Sequence, residues 1–225
     1  MPENELIKDR RNFIYVPQTN RFVNYNQAFN DLTLEESIRK AKNLGFSILQ
    51  LSTLIPHLIN LRDATEGKIT LYDGLGTSIP KSKSKEIFDK YFPFCGKGLD
   101  IILDVYFQKG TGFKNLELVA NSRPIFTEKR NGFQRDVIPL EECLMENNIL
   151  VDLTPESFNS QGFPIKKSKI KTYERGKNVY YWHPIENSSV WFSTEVGGSS
   201  INCERDINTS DSILGVLLCI NHIKK

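Results

Sequence analysis

Residues 190–206 read VWFSTEVGGSSINCERD, and the alternation of apolar and other side chains along this stretch decides the predicted fold. Val190 and Phe192 lie two residues apart, and so do Ile201 and Cys203. A spacing of two places side chains on one face of a β-strand. The stretch therefore predicts strand structure with one face packed on a core and the other face displayed.

The displayed face is predicted to carry mostly small polar side chains. Thirteen of the twenty residues from Ser193 to Ser212 are Ser, Thr, Asn, Asp or Gly, and none is lysine or aromatic. A plain loop has a similar composition, but the apolar runs at 190–192 and 213–220 hold both ends of the tract in structure. The side chains that alternate outward are Trp191, Ser193, Glu195, Ser200, Asn202 and Glu204.

This face resembles an antibody paratope in chemistry, since Ser, Gly and Asn give adaptable hydrogen bonds and aromatic side chains give rigid anchors. Tyr180, Tyr181 and Trp191 are the candidate anchors, and Trp191 is expected to be exposed. A place in the core is equally open for Tyr180, Tyr181 and Trp182. Several charged side chains fit simple solvation as well as ligand contact: Glu195, Glu204, Arg205, Asp206 and Asp211.

The two ends of the chain are predicted to meet. Residues 213–220, ILGVLLCI, are apolar on both faces, as expected of a central strand that is covered on two sides. Near the N-terminus, aromatic and β-branched residues around a turn at 17–20 predict a hairpin of Phe13–Val16 and Arg21–Asn24. Phe13–Val16 is the expected partner of the C-terminal strand.

Two helices are predicted after this hairpin. The first begins at Thr33, which forms a capping box with Glu36, and its apolar residues fall at helical spacing up to a stop at Gly45. The second begins near residues 52–53 and accepts Pro56 in its first turn, where no backbone donor is needed. Strand, helix, helix is the expected opening order.

From residue 64 to residue 146 the signals are weaker, and this part is interpreted as an elaboration within a single domain spanning 1–225. It contains a helix candidate at 84–91 and a strand at 100–107. The triplet Gly74-Leu75-Gly76 favours a turn over a phosphate-binding loop, because a lone GxG lacks the following Lys-Ser/Thr and the βαβ frame.

The composition predicts a chain that folds without metal or disulfides, with 39% hydrophobic and 11% aromatic residues in 225. A net charge of +2 gives no general attraction to nucleic acid or anionic membrane. No run approaches the roughly 18 apolar residues of a membrane span, and the start, MPENELIKDRRNF, is charged where a signal peptide would be apolar. We expect a cytoplasmic monomer without cofactor, with surface display left open.

A local basic cluster follows at 166–177, around an expected hairpin turn at 174–177. It favours a solvated loop over a nucleic-acid surface, because only Tyr173 is interleaved for base stacking. A nucleic-acid binder therefore remains a minor alternative. The six cations are Lys166, Lys167, Lys169, Lys171, Arg175 and Lys177.

The cysteines and histidines show no metal-ligand spacing. Cys95, Cys143, Cys203 and Cys219 are too far apart for a CxxC motif, so reduced and buried thiols are expected. A bridge between Cys203 and Cys219 is the alternative. The three histidines, at 57, 183 and 222, are interpreted as structural residues.

The C-terminal quarter resembles the variable proteins of diversity-generating retroelements, especially the archaeal variable protein A type. The resemblance covers most of the chain, with specific motifs in the last quarter only. The stretches that carry it are YYWHP at 180–184, SVWF at 189–192, NCERD at 202–206 and SDSILGV at 210–216. It implies an α+β chain with a C-type lectin-like fold, in the variant shared with formylglycine-generating enzymes, having two N-terminal helices and antiparallel strands.

The resemblance also implies a function, that of binding a ligand, expected to be a protein, through a face diversified by the retroelement. An error-prone reverse transcriptase would substitute at the adenines of a template repeat, and the variable region would span about 180–217. The implied framework is Val190, Phe192, Ile201, Cys203, Leu214, Gly215 and Val216. The implied variable set is Trp191, Ser193, Glu195, Gly197, Gly198, Ser200, Asn202, Glu204, Arg205, Asp206, Asn208, Thr209, Asp211, Ile213 and Leu217. Gly197 and Gly198 also fit a turn, and Leu217 also fits a core position.

The sequence departs from two relatives of this fold. The Glu-Pro-Asn and Trp-Asn-Asp triplets of calcium-dependent lectins are missing, which puts calcium-mediated sugar binding in doubt. The chemistry of formylglycine-generating enzymes depends on cysteine, so Cys203 with Cys219 leaves a cysteine-dependent enzyme as the alternative function. We expect no enzyme, because Cys203 falls on the inward side of the alternation and a reactive thiol needs access.

Overall fold

A computed structural model of the protein describes residues 9–96, 98–127, 130–195, 197–206 and 215–221, with the side chains of 121–134 left undescribed. Its helices are α1 (Leu34–Asn43), α2 (Leu51–Glu66) and α3 (Lys81–Tyr91). Its strands are β1 (Phe13–Val16), β2 (Arg21–Asn24), β3 (Ser47–Ile48), β4 (Leu71–Tyr72), β5 (Ser78–Ile79), β6 (Ile101–Lys109), β7 (Leu116–Thr127), β8 (Arg130–Pro139), β9 (Ile149–Asp152), β10 (Asn178–Trp182), β11 (Ser188–Glu195), β12 (Gly198–Asp206) and β13 (Leu218–Asn221).

The strands form one large and two small sheets. The large sheet has seven strands in the order β8-β7-β6-β11-β12-β10-β9, the second has the order β1-β2-β13-β3, and β4 pairs with β5. Between the strands that the structure describes, the pairings are antiparallel except that of β10 with β12, which is parallel. The α+β class with mainly antiparallel strands is therefore confirmed.

The main core lies between the large sheet and helices α2 and α3. Phe192 on β11 packs against Tyr91 and Phe92 at the end of α3, with ring centroids 6.1 Å and 6.4 Å apart. These three side chains belong to one cluster of buried apolar residues that also receives α2. A second cluster forms around α1 and contains Ile102 and Leu218.

The first predicted helix is confirmed together with its cap. The backbone N–H of Thr33 donates to the Glu36 carboxylate over 2.8 Å, and the N–H of Glu36 donates to Thr33 Oγ1 over 3.3 Å. This reciprocal pair satisfies two donors that a helix start leaves without partners. Gly45 follows the helix with a φ of 81°, as the predicted stop requires.

The second predicted helix is confirmed, but the place given to Pro56 is wrong. The helix begins at Leu51, after Gln50 in an extended conformation, so Pro56 lies in its second turn. Proline has no backbone N–H to give to the Ser52 carbonyl four residues earlier. Ten buried side chains along the helix hold it against the core, which offsets the lost hydrogen bond.

The C-terminal strand is central, as predicted, but its partner is different. β13 pairs with β2, where Cys219 faces Val23, and with β3, where Leu218 faces Ile48. β1 is not available, because its residues pair with β2 on one side and Ile14 bridges to Asp73 on the other. The described part of the 213–220 run is also no continuous strand, since residues 215–216 only form isolated bridges to Ala28 and Ile101.

The region 64–146 contributes more than an elaboration. It supplies α3, which packs on α2, and β6, which lies between β7 and β11 in the large sheet. The predicted turn at Gly74 is confirmed, because Asp73 Oδ1 accepts from the backbone N–H of Leu75 and of Thr77 over 2.8 Å and 2.9 Å. Among the described helices, none has the length and apolar character needed to cross a membrane.

Candidate ligand-binding face

Three adjacent strands, β10, β12 and β11, build the candidate site. Their register aligns outward side chains in two rows, Trp182–Asn202–Trp191 and Tyr180–Ser200–Ser193. Adjacent strands lie about 4.8 Å apart, so the aromatic residues of β10 and β11 stand about 10 Å from each other across β12. The result is a trough with aromatic walls and a floor of small polar side chains.

The trough encloses a depression of about 260 Å³. We call this surface the display face. Its lining residues are Asn148, Tyr180, Trp182, Trp191, Ser193, Glu195, Gly197, Gly198, Ser200 and Asn202.

The floor of the display face is held by short hydrogen bonds. Ser193 Oγ and Ser200 Oγ lie 2.6 Å apart, and both side chains are buried. The backbone N–H of Glu204 donates to Asn202 Oδ1 over 2.9 Å. The floor is therefore ordered by the protein itself before any ligand arrives.

The wall on β10 is a row of aromatic rings. Tyr173 stacks on Tyr180 with centroids 5.9 Å apart, and Tyr180 lies 6.2 Å from Trp182 at a tilt of 51°. The Tyr173 hydroxyl lies 3.4 Å from Ser199 Oγ on β12. These contacts fix the orientation of Tyr180, which gives the wall a defined shape.

Trp191 forms the opposite wall. Its side chain is half-buried, so the prediction that it is exposed is wrong. The guanidinium of Arg205 lies 5.2 Å from the centre of its ring. The pairing of β11 also shifts register between Ser189 and Trp191, which marks a bulge there. The indole Nε1 is buried and has no hydrogen-bond partner among the described residues.

The inward set is confirmed and the outward set is confirmed in part. Val190, Phe192, Ile201 and Cys203 are fully buried. Of the candidate anchors, Tyr181 belongs to the core, where its hydroxyl donates to the Leu144 carbonyl over 3.2 Å. Tyr180 and Trp182 instead line the depression. Ser193 and Ser200 face outward by register and line the depression, but their side chains are buried.

Further members of the implied variable set lie beyond the depression. Glu204 and Arg205 are half-buried and Asp206 is exposed at the end of β12. The Asn147 side chain donates to the Glu204 carboxylate over 2.5 Å. Asn208, Thr209, Asp211 and Ile213, and the implied framework residue Leu214, fall outside the described residues.

Leu217 is a correction to the implied variable set. Its side chain is 0% exposed and belongs to the main core, and its carbonyl accepts from the backbone N–H of Leu49 over 2.9 Å. A residue packed on all sides is unable to contact a ligand at the surface. Gly215 and Val216, placed in the framework, are buried as expected.

Sequence reasoning missed two residues of the site and undervalued a third. Asn148, before β9, and Tyr173, before β10, reach the face through loops, and no local pattern marks either position. Trp182 lies two residues from Tyr180, so the period of two could have placed both on one face.

The cysteines do not form an exposed reactive group at this face. Cys143, Cys203 and Cys219 are buried free thiols, so the bridge between Cys203 and Cys219 is wrong. Burial raises the pKa of Cys203 well above its ordinary value, that of Cys143 to about 11 and that of Cys219 to about 12. Cys95 is exposed, against expectation, because it lies in the loop that follows α3.

The basic cluster at 166–177 is partly used within the protein. Arg175 contacts the Asp89 carboxylate and its guanidinium lies 3.8 Å from the centre of the Phe94 ring. Lys177 pairs with Glu174 at 2.7 Å and Lys167 with Glu146 at 2.5 Å. The turn at 174–177 is confirmed by a bond from the Lys177 N–H to the Glu174 carbonyl, although no strand precedes it to make a hairpin.

Histidine and carboxylate side chains do not gather into a metal site within the part of the chain that the structure describes. His57 is buried with Nε2 lying 3.1 Å from the Tyr91 hydroxyl, and burial lowers its pKa to about 3. It therefore stays neutral as a core residue.

Searches of protein-family models, of curated proteins and of solved structures found no match to this chain.

Gly198 is expected to resist substitution, in contrast to its neighbour Gly197. Gly198 has a φ of 142°, and a Cβ there would approach the Tyr173 ring to 2.8 Å, whereas a Cβ at Gly197 meets nothing within 4 Å. Gly198→Ala should lower the free energy of unfolding by about 1–3 kcal/mol because of this strain. Gly197→Ala should change it by less than about 0.5 kcal/mol. Urea unfolding of both variants measures the difference, and equal stabilities would contradict the close approach of Tyr173.

The thiols are expected to differ sharply in reactivity. In the native protein at mildly alkaline pH, Ellman's reagent should modify Cys95 quickly, because it alone among the four cysteines is exposed. Cys143, Cys203 and Cys219 should react only after unfolding, since burial and raised pKa keep them as inaccessible thiols. Cys95→Ser should abolish the fast phase. A second fast thiol in the wild type would show that the burial of one of the other three is wrong.

Proposed function

We propose that the protein binds a ligand, a protein, through the display face, and that a diversity-generating retroelement varies this face on a C-type lectin-like framework. The observation that carries the proposal is the separation of roles along β11 and β12. Phe192 and Ile201 are fully buried, while Glu195 and Asn202, on the same strands, line the depression. Substitutions at the outer positions therefore alter the ligand surface without removing core packing.

The support beneath the display face suits a binding surface. A site is held more precisely when it lies on strands than when it lies on loops. Here the β11 end is tied to the core by the Thr194 N–H, which donates to Asp100 Oδ1 over 2.9 Å. The β12 start is tied by Ser199 Oγ, which donates to the Tyr91 carbonyl over 2.7 Å. Little ordering remains to be done when a ligand binds, which favours affinity.

The C-type lectin-like framework is proposed from the order and closure of the elements. A hairpin and the two helices α1 and α2 open the chain, as the resemblance implies, and α3 follows them before the first strand of the large sheet. The C-terminal β13 returns to pair with β2 of the N-terminal hairpin, so the ends of the described chain meet. The parallel pairing of β10 with β12 is a mixed feature that the implied antiparallel arrangement did not include.

A binding role is favoured over the cysteine-dependent enzyme. An activated thiol needs access and a lowered pKa. Cys203 has neither, because it is fully buried and burial raises its pKa. The nucleic-acid alternative, which was placed on the basic cluster at 166–177, is disfavoured because Lys167, Arg175 and Lys177 already pair with carboxylates of the protein.

If the face is diversified, neighbouring positions on β11 and β12 must differ strongly in how much a substitution lowers the free energy of unfolding. Ile201→Ser and Phe192→Ser should each lower the free energy of unfolding by about 3 kcal/mol or more, because each opens a cavity in the main core. Asn202→Ser and Glu195→Ser, which introduce the same residue on the outer side, should cost less than about 1 kcal/mol. Denaturant unfolding of the four variants provides the comparison, and similar losses for both pairs would contradict the separation of roles.

The diversification itself has a direct test in the DNA that flanks the gene. We expect a second repeat nearly identical to the coding region for about residues 180–217, differing at adenines, with a reverse transcriptase gene close by. The adenine differences should fall at codons of outward residues such as Trp191 and Asn202 and spare the codon of Phe192. Flanking DNA with neither a repeat nor a reverse transcriptase gene would contradict diversification by a retroelement. The proposal that the face binds a ligand would then depend on binding experiments alone.

A further inference from the structure

The volume of the depression limits what can enter the display face. At about 260 Å³ it lies below the range of about 300–1,000 Å³ that holds a drug-sized ligand. A trough of this size takes one side chain of a larger partner. Interfaces between proteins commonly place one such side chain in a central, well-packed pocket.

The aromatic wall on β10 offers electron-rich surface that the described part of the protein leaves without a cation. Tyr25 has Lys83 and Lys90 over its ring at 5.5 Å and 5.4 Å, so cations cover aromatic rings elsewhere on this protein. Contacts of this kind are not made to Tyr180 or Trp182 by the described residues. A cation from outside would find these faces attractive.

The charge of the display face has the matching sign. Glu195 is exposed at one end of the depression, and its carboxylate forms no ion pair with the described residues. The lining contains no lysine or arginine. At the other end of the strands, Arg205 is flanked by Glu204 and Asp206 and covers Trp191. Counting only described residues of this surface, three carboxylates thus stand against one guanidinium, which attracts a positive ligand and repels an acidic one.

We propose that the display face takes an arginine or lysine side chain presented by a partner protein. This assignment rests on the proposed function and names the chemistry of its ligand. The cation would lie against the rings of Trp182 and Tyr180 and meet the carboxylate of Glu195. Arginine suits the trough better than lysine, because its planar group stacks on aromatic rings and pairs with a carboxylate through two N–H donors.

The two tryptophans of the chain provide a specific signal for this event. The sequence contains only Trp182 and Trp191, and both line the depression. A change in intrinsic tryptophan fluorescence therefore reports on the display face. The probes are acetylated and amidated pentapeptides, Gly-Gly-X-Gly-Gly, in which X is arginine, lysine, citrulline or glutamate, titrated at constant ionic strength.

The arginine peptide should give a saturable change in the millimolar range. Citrulline is the neutral counterpart of arginine, and its peptide should bind about fivefold more weakly, because the cation–π and ionic attraction is lost. The glutamate peptide should give no saturable change. Lysine should fall between arginine and citrulline.

Variants locate the binding. Glu195→Gln keeps the size of an exposed side chain and removes its charge, so the preference for arginine over citrulline should fall by the ionic part and keep the cation–π part. Glu66→Gln removes an exposed carboxylate at the end of α2 and should leave the preference unchanged. Trp182→Leu should weaken the binding of both the arginine and the lysine peptide.

The outcomes separate this assignment from the proposed function. If the citrulline or glutamate peptide binds as well as the arginine peptide, the face binds ligands but the cationic assignment is overturned. An unchanged preference in Glu195→Gln overturns it as well. If none of the four peptides changes the tryptophan fluorescence, the cationic assignment is overturned as well. The proposed diversified face is then tested separately, by the flanking DNA and by the unequal effects of inner and outer substitutions on stability.

Discussion

The packing of Phe192 against Tyr91 and Phe92 is the contact on which the rest of the site depends. It joins the middle of the large sheet to the end of α3, and all three rings are fully buried. Ser199 Oγ donates to the backbone carbonyl of the same Tyr91, so ring packing and a side-chain-to-backbone hydrogen bond hold the β11–β12 hairpin at one place. The outer surface of that hairpin belongs to the display face, so the contacts on the buried side of the hairpin fix the position of the face.

The two walls of the display face come from consecutive strands, β10 and β11, and they stand apart because β12 lies between them in the sheet. β11 follows the antiparallel rule for a hairpin, whereas β10 joins β12 in parallel and brings Tyr180 and Trp182 to the opposite side. Tyr173 supports Tyr180 from the loop before β10. A hairpin alone would present one aromatic wall, and the parallel strand supplies the second.

Local patterns predicted much of this structure, and distant pairings account for most of what they missed. The capping box of Thr33 with Glu36 and the inward positions of Phe192 and Ile201 depend on residues close in sequence, and the structure has both. The pairing of β13 with β2 instead of β1 depends on which edge of a hairpin stays open, and the bridge from Ile14 to Asp73 decides it. The periodicity of one sequence does not show which of two strands will pair with a third. The resemblance likewise carried Leu217 into the variable set although its neighbours are core residues.

The structure also restricts how far the proposed diversification can reach. Leu217 is packed in the core, Gly198 is confined by the Tyr173 ring, and the buried hydroxyls of Ser193 and Ser200 are joined to each other. A larger side chain at any of these would disturb packing or the shape of the floor. Variation that preserves the fold is thus concentrated where side chains reach solvent, at Glu195, at Asn202 and along residues 204–206. Because all of these outer side chains are charged or polar, exchanging them changes the charge and the hydrogen-bonding pattern in and beside the trough more readily than the depth of the trough. On the proposed function, such a face would select partners by charge and polarity around a constant aromatic wall on β10, since Tyr180 and Trp182 lie outside the implied variable set.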